Sequence, residues 1–208
     1  MVEAEPTHNL IITQGDITLL PITDGALVNP SNTGMILGSG VSGAIARRGG
    51  PYIQQTLHMK RSQLRDNRLK PGHAVDTEPG QLNCKRLIHV SIVGAKKIND
   101  RLISNCIRNA YKLADQLELS QIAFPALGTG VAGYPVKRFI ERFWNITATE
   151  LPRFKYLTDV YLCMHDEDDE EKNSFQLACD YADEHVQEMP ERIKLEISES
   201  GFTGGVFG

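Results

Sequence analysis

The sequence predicts a three-layer α/β/α sandwich around a central, mostly parallel mixed sheet of about six strands. Two observations carry this. Short β-rich runs alternate with helix-period segments along the whole chain, and strands separated by helices need crossover connections that lay helices on both faces of a parallel sheet. One of the runs, residues 87–93, is apolar enough to lie inside a sheet rather than at its edge. With 208 residues, 41% hydrophobic and 23% charged, the chain is long enough to bury one core of this kind.

Residues 10–13 and 26–29 are the first predicted strands, the second leading into a polar, Gly-rich stretch over 30–40. A short helix over about 42–48 ends at Gly49-Gly50-Pro51, which stops one helix and starts the next. That second helix places Ile53, Leu57 and Leu64 along one face. Strands follow at 74–77 and 87–93. Over 100–119 the apolar positions Ile103, Cys106, Ile107, Ala110, Leu113, Ala114 and Leu117 keep a 3.6-residue period, the clearest amphipathic helix in the chain. A buried strand over 122–125 precedes a helix over about 136–147 with Phe139, Ile140 and Phe143 inward. The last strong strand is 157–164, and Phe175, Ala178, Cys179, Ala182 and Val186 mark a closing helix. One domain is expected over 1–188. Residues 189–208 are either a tail or an added edge segment, with Phe202, Val206 and Phe207 as anchors.

Composition excludes several classes. No stretch approaches the roughly 18 to 20 apolar residues of a membrane span, and the N-terminal residues lack the basic and apolar regions of a signal peptide. A soluble intracellular protein, cytoplasmic or nuclear and not secreted, is expected. Four widely separated cysteines, Cys84, Cys106, Cys163 and Cys179, match no zinc-ligand spacing and are expected to be reduced core thiols. No metal site is expected. The net charge of -4 conceals a split: residues 159–199 carry 14 acids and three bases, a balance of -11, against +7 for the rest. A uniformly basic nucleic-acid binder is thereby excluded, and a nucleic-acid partner is not indicated, although room remains for a local basic surface. Lys60, Arg61, Arg65, Arg68 and Lys70 form such a run, which reads first as a solvated face. The acidic run 166–171 is expected to be a solvated loop opening a helix. His89, inside an apolar strand, reads as a satisfied core or near-site residue.

Ligands of open α/β sheets gather at the loops after the carboxyl ends of strands, and three of these loops have unusual composition. In Gln14-Gly15-Asp16-Ile17-Thr18, two roles fit Asp16: capping a helical turn, or accepting a hydrogen bond from an amino group. In Asn29-Pro30-Ser31-Asn32 followed by Leu37-Gly38-Ser39-Gly40-Val41-Ser42-Gly43, glycines just before a helix let backbone N–H groups converge on an anion. The loop Pro125-Ala126-Leu127-Gly128-Thr129-Gly130-Val131-Ala132-Gly133-Tyr134-Pro135 repeats that arrangement. Neither is an ATPase P-loop or a full dinucleotide fingerprint. Two anion cradles on one sheet edge suit a diphosphate.

These segments, in this order within an α/β alternation, resemble the macro domain family over about residues 9–185. Val-Asn-Pro-Ser-Asn at 28–32 stands where that family has V-N-A-A-N. The resemblance implies binding of ADP-ribose, free or attached to a macromolecule, as ligand or substrate and with no further cofactor. It also implies that Asp16 meets the adenine amino group beside the N–H of Ile17. Asn32 would reach the distal ribose and is the catalytic candidate. Gly38, Ser39, Gly40 and Val41 would hold one side of the diphosphate, and Gly128, Thr129, Gly130, Val131 and Ala132 the other.

Three positions depart from the commoner family residues. Ser42 stands where many family hydrolases carry an Asp that activates or orients water, and a serine hydroxyl is a poor base without an activating partner. Ala132 replaces a frequent Tyr or Phe against the distal ribose, removing packing worth ~1 to 2 kcal/mol. His165 aligns with an aromatic that stacks on adenine; stacking and a strand-end bond to backbone both fit it. Binding is therefore the leading expectation. The alternative is a hydrolase that removes mono-ADP-ribose from ester-linked targets or deacetylates O-acetyl-ADP-ribose, and a drifted fold serving as an interaction module ranks third.

Overall fold

In the computed structural model, which describes residues 8–94, 97–165 and 173–202, seven strands form one sheet in the order β3-β4-β2-β5-β6-β1-β7. They are β1 (His8–Gly15), β2 (Ile22–Asn32), β3 (Ala74–Thr77), β4 (Cys84–Val93), β5 (Gln121–Pro125), β6 (Asp159–Met164) and β7 (Ile193–Phe202). Only β3 runs antiparallel to its neighbour, pairing Ala74 with Val90 and Thr77 with Leu87; the other pairs are parallel. The helices are α1 (Gly40–Gly49), α2 (Tyr52–Ser62), α3 (Asp100–Gln116), α4 (Val136–Glu150) and α5 (Ser174–His185).

The strands divide their side chains between two cores because alternate residues point to opposite faces. In β5, Ile122 and Phe124 enter the core that α3, α4 and α5 cover, whereas Ala123 enters the one under α1 and α2. Tyr111, fully buried on α3, meets Phe124 edge-to-face at 5.1 Å between ring centroids, and its hydroxyl is 2.7 Å from Thr147 Oγ1 on α4. Asn99 caps α3 by accepting from Leu102 N at 3.0 Å, and its side chain sets that start more sharply than periodicity alone.

The expected three layers are present, with seven strands in place of about six. The added strand is β7, which runs parallel to β1 from His8↔Ile193 to Thr13↔Ser198 and forms the edge of the sheet. Strand β2 is longer than the predicted 26–29, since Pro30 and Ser31 continue the pairing with β4. Leu64 lies beyond the end of α2 but still packs on the α1–α2 core. Val186 departs from expectation: it falls in a 3-10 turn (Val186–Glu188) after α5 and is exposed, because the turn rotates it off the helix face. The acidic run 166–171, Val206 and Phe207 lie outside the described residues. All four cysteines are buried and none is in a disulfide, and burial pushes the thiols of Cys84, Cys106 and Cys163 up to about 11, about 12 and about 12. Among the described residues no helix is long and apolar enough to cross a membrane.

Candidate functional site

The parallel strands deliver their carboxyl ends to one edge of the sheet, in the order β4, β2, β5, β6, β1. Asn32 ends β2, Pro125 ends β5, Met164 ends β6 and Gly15 ends β1. The loops singled out from the sequence therefore stand side by side: Asp16 at one end of the row, the two glycine loops adjacent in the middle.

Asp16 both caps and remains accessible. Its Oδ1 accepts from Thr18 N at 2.9 Å and Thr18 Oγ1 at 2.6 Å at the start of the turn Ile17–Leu19, and its Oδ2 accepts from Arg48 Nε at 3.3 Å. Burial raises its pKa, but the Thr18 bonds and the Arg48 guanidinium outweigh that and hold the carboxyl below the usual range. It is thus an anionic acceptor, suited to an amino group. Ile17 is buried, and its N–H opens a turn where no i−3 carbonyl reaches it. Arg48, at the far end of α1, carries no signal in the sequence that predicts this pairing.

The first glycine loop is held by side chains. Asn32 Nδ2 donates to Ile36 O at 2.7 Å while Ile36 N donates to Asn32 Oδ1 at 3.3 Å, so the amide closes the loop that it begins. Gln54 of α2 accepts from Leu37 N at 2.8 Å and donates to Met35 O at 3.1 Å; Arg61 donates to Gly34 O at 3.1 Å. Ser39 occupies the cap position of α1 but makes no side-chain cap, so the first-turn N–H groups of Gly40, Val41 and Ser42 keep their donors. Gly38 and Gly40 have open space where a Cβ would stand, and Gly40 has φ +58°. A Cβ on Gly43, by contrast, would sit 2.7 Å from the Gly38 carbonyl oxygen.

The second loop closes on its own backbone. Gly133 N donates to Gly130 O and Tyr134 N to Gly128 O, each at 2.9 Å, with Gly128 at φ +81°. Thr129 Oγ1 donates to Ala126 O at 3.0 Å. Among the described residues, the N–H groups of Gly130, Val131 and Ala132 meet no protein acceptor. Val131 is fully exposed at 101% and Ile36 is 53% exposed, two apolar side chains on the lips of adjacent loops.

Ser42 turns its hydroxyl into the fold and not toward the loop mouth. It is buried, and its hydroxyl donates to Asn29 Oδ1 at 2.8 Å, with Pro30 O at 3.2 Å. Asn29 Nδ2 stands 2.9 Å from His89 Nδ1, and His89 Nε2 stands 2.8 Å from Thr77 Oγ1. An amide nitrogen only donates, so Nδ1 accepts and the neutral ring carries its proton on Nε2. Burial drives the His89 pKa down to about 3. This Ser42–Asn29–His89–Thr77 chain ties α1, β2, β4 and β3 together beneath the first loop. It gives Ser42 a hydrogen-bonded structural place and no base beside it.

His165 follows the end of β6 and is exposed, and Ala132 is partly exposed on the second loop. Among the described residues no group of three His, Cys, Asp or Glu side chains is placed to hold a metal ion. A cavity of about 290 Å³ opens next to Asn32, lined by Thr33, Gly94 and the side chains around Arg65–Lys70. None of the residues nominated from the sequence as site residues lines it.

Two glycine loops on adjoining parallel strands thus set open backbone donors side by side, with an anionic acceptor at one end of the row. A family model described as Macro domain matches residues 28–143. The chain is 35% identical over 165 residues to the O-acetyl-ADP-ribose deacetylase of Salmonella newport (strain SL254), covering 78% of this chain and 90% of that protein. It is 38% identical over 129 residues to a macro domain-containing protein of Streptomyces nogalater, covering 61% and 70%. A variant of the Oceanobacillus iheyensis macrodomain solved with ADPR has a TM-score of 0.75 at 26% identity, over 85% of this chain and 92% of that one. The Trypanosoma brucei macrodomain in complex with ADP-ribose gives 0.71 at 25%, over 83% and 68%. The chain belongs to the macro domain family.

Proposed function

We propose that this protein binds ADP-ribose, free or carried on a macromolecule, along the sheet edge from Asp16 to Asn32. One observation carries the reading: the open N–H groups at the start of α1 and those of Gly130, Val131 and Ala132 lie on loops of the paired strands β2 and β5. A diphosphate between them meets donors on both sides, and hydrogen bonds from neutral backbone donors to an ionised acceptor are the strong kind. Asp16 then takes the adenine amino group, the N–H of Ile17 lies beside it, and His165 is within the same row of strand ends. Asn32 faces the distal ribose; meeting a hydroxyl requires its amide to exchange one of its bonds to Ile36. The chain's relatives include proteins named O-acetyl-ADP-ribose deacetylase, so a hydrolytic activity on the same ligand is the second reading. Here Ser42 contributes no base, and rate enhancement comes from positioning water between the distal ribose and the diphosphate.

Isothermal titration is expected to show one-to-one binding of ADP-ribose and much weaker binding of AMP. Absence of heat at high micromolar ligand overturns the reading. Incubation with O-acetyl-ADP-ribose separates binder from enzyme: acetate release that persists in Ser42→Ala places the activity outside Ser42, and a Ser42→Ala variant that folds normally but loses all activity overturns the positioning account.

A further inference from the structure

The basic run 60–70 divides in the fold. Lys60 pairs with Asp76 at 2.9 Å and Arg61 holds Gly34, so both are structural. Arg65, Arg68 and Lys70 are exposed, make no ion pair among the described residues, and line the cavity beside Thr33 and Gly94. The segment is fixed to the cleft: Leu69 N donates to Thr33 O at 3.0 Å, one residue beyond Asn32. Asp66 and Asn67 both take left-handed backbone, φ +61° and +49°. Aspartate and asparagine enter this region more readily than other non-glycine residues, and two in succession make a tight turn. It turns the chain between Arg65 and Arg68 so that both reach one cavity.

Position along the sheet edge gives the cavity its role. Asp16 follows β1 and the diphosphate loops follow β5 and β2, whereas the cavity lies beyond them, between the ends of β2 and β4. A ligand laid from Asp16 to Asn32 points its distal ribose, the end that carries an acceptor, toward Thr33. The cavity of about 290 Å³ is near the lower limit of ordinary ligand pockets, roughly 300 Å³, and larger than one phosphate needs. Its lining residues include the cations Arg65, Arg68 and Lys70 together with Asp66 and Thr33. Guanidinium groups match phosphate oxygens bidentately, and a carboxylate beside them suits an O–H or N–H donor, such as a base N–H, on the same ligand. Inorganic phosphate offers only its own P–OH there, whereas a nucleotide places a separate donor several ångströms from its phosphate.

We infer that this cavity is a second phosphate subsite, built for a nucleotide on the acceptor side of the bound ADP-ribosyl group. The inference rests on the ADP-ribose reading for its orientation and on the cavity's own residues for its chemistry. The test is fluorescence anisotropy of a 3′-labelled, 5′-phosphorylated oligothymidylate with the full chain, beside calorimetry with ADP-ribose. The wild type is expected to bind the oligonucleotide saturably, and Arg65→Glu/Arg68→Glu to bind it at least tenfold more weakly, with a salt slope reduced by about one to two. Lys70→Glu gives a second, independent loss. Both variants are expected to melt as the wild type does and to keep ADP-ribose affinity within about twofold, as exposed substitutions do. No oligonucleotide binding by the wild type, or undiminished binding by the folded variants, overturns the subsite even when ADP-ribose binds. Competition by inorganic phosphate as strong as that by the oligonucleotide overturns the nucleotide assignment. Failure of ADP-ribose binding in wild type and variants alike removes the cleft reading and the acceptor-side orientation instead.

Discussion

The two glycine loops present the same kind of backbone donor, yet they are supported in opposite ways. The loop after β5 closes on itself, through Gly133 to Gly130 and Tyr134 to Gly128, and buries its own Leu127 and Tyr134 in the core that α3 and α4 cover. The loop after β2 relies on side chains from elsewhere: Gln54 and Arg61 of α2 clamp its outside, and the buried Ser42–Asn29–His89–Thr77 chain lies under it. A self-closed loop is robust to distant change. A loop tied by side chains transmits it, so the end of the site at β2 is the part that distant substitutions and pH will reach.

Acid is expected to break the comparison most widely. His89 holds its pKa at about 3 when folded against an ordinary 6.5, so between those values the unfolded chain binds the extra proton. Stability therefore falls as pH drops through that window, at up to about 1.4 kcal/mol per pH unit. Urea unfolding at stepped pH values measures it, and His89→Gln is expected to flatten the decline. A parallel slope in that variant assigns the loss to other groups.

Gly43→Ala comes next. Its methyl would lie 2.7 Å from the Gly38 carbonyl, displacing the first loop at a strain of about 1 to 3 kcal/mol. ADP-ribose affinity measured by calorimetry should drop tenfold or more. Gln54→Ala, which removes both clamps on Met35 and Leu37, is expected to weaken ADP-ribose by about tenfold, near 1.4 kcal/mol, with little change in melting temperature. The smallest effect belongs to the other loop. Tyr134→Phe deletes a 2.9 Å bond to Asp100, which keeps its Arg138 partner, and should change affinity by less than about twofold. A larger effect there would show the second loop to be as dependent on its surroundings as the first.

Much of the site was legible because it is made of backbone. Glycines before a helix declare a donor-rich turn whatever surrounds them, and the alternation of strands and helices places such turns on one edge. Side-chain partnerships were not legible. Asn29 and His89 are 60 positions apart and Asp16 and Arg48 are 32 apart, and nothing local to either pair marks them as neighbours. The same limit explains Ser42. Its position suggested a weakened base at the ligand, whereas the fold turns its hydroxyl inward to Asn29. It also explains Arg65 and Arg68, which as a run of charge resemble any solvated face until the left-handed turn at Asp66 and Asn67 brings them to one cavity.

By itself, the order of residues determined the layered α/β architecture, the two glycine loops before helices and the family, because periodicity and glycine placement act over a few residues. Only the tertiary structure decided that residues 193–202 add an edge strand, that Ser42 belongs to a buried hydrogen-bond chain, and that a basic cavity adjoins the loop after β2. Each of these depends on which strands pair and which loops meet across the sheet edge, contacts between residues far apart in sequence that form only when the whole sheet does.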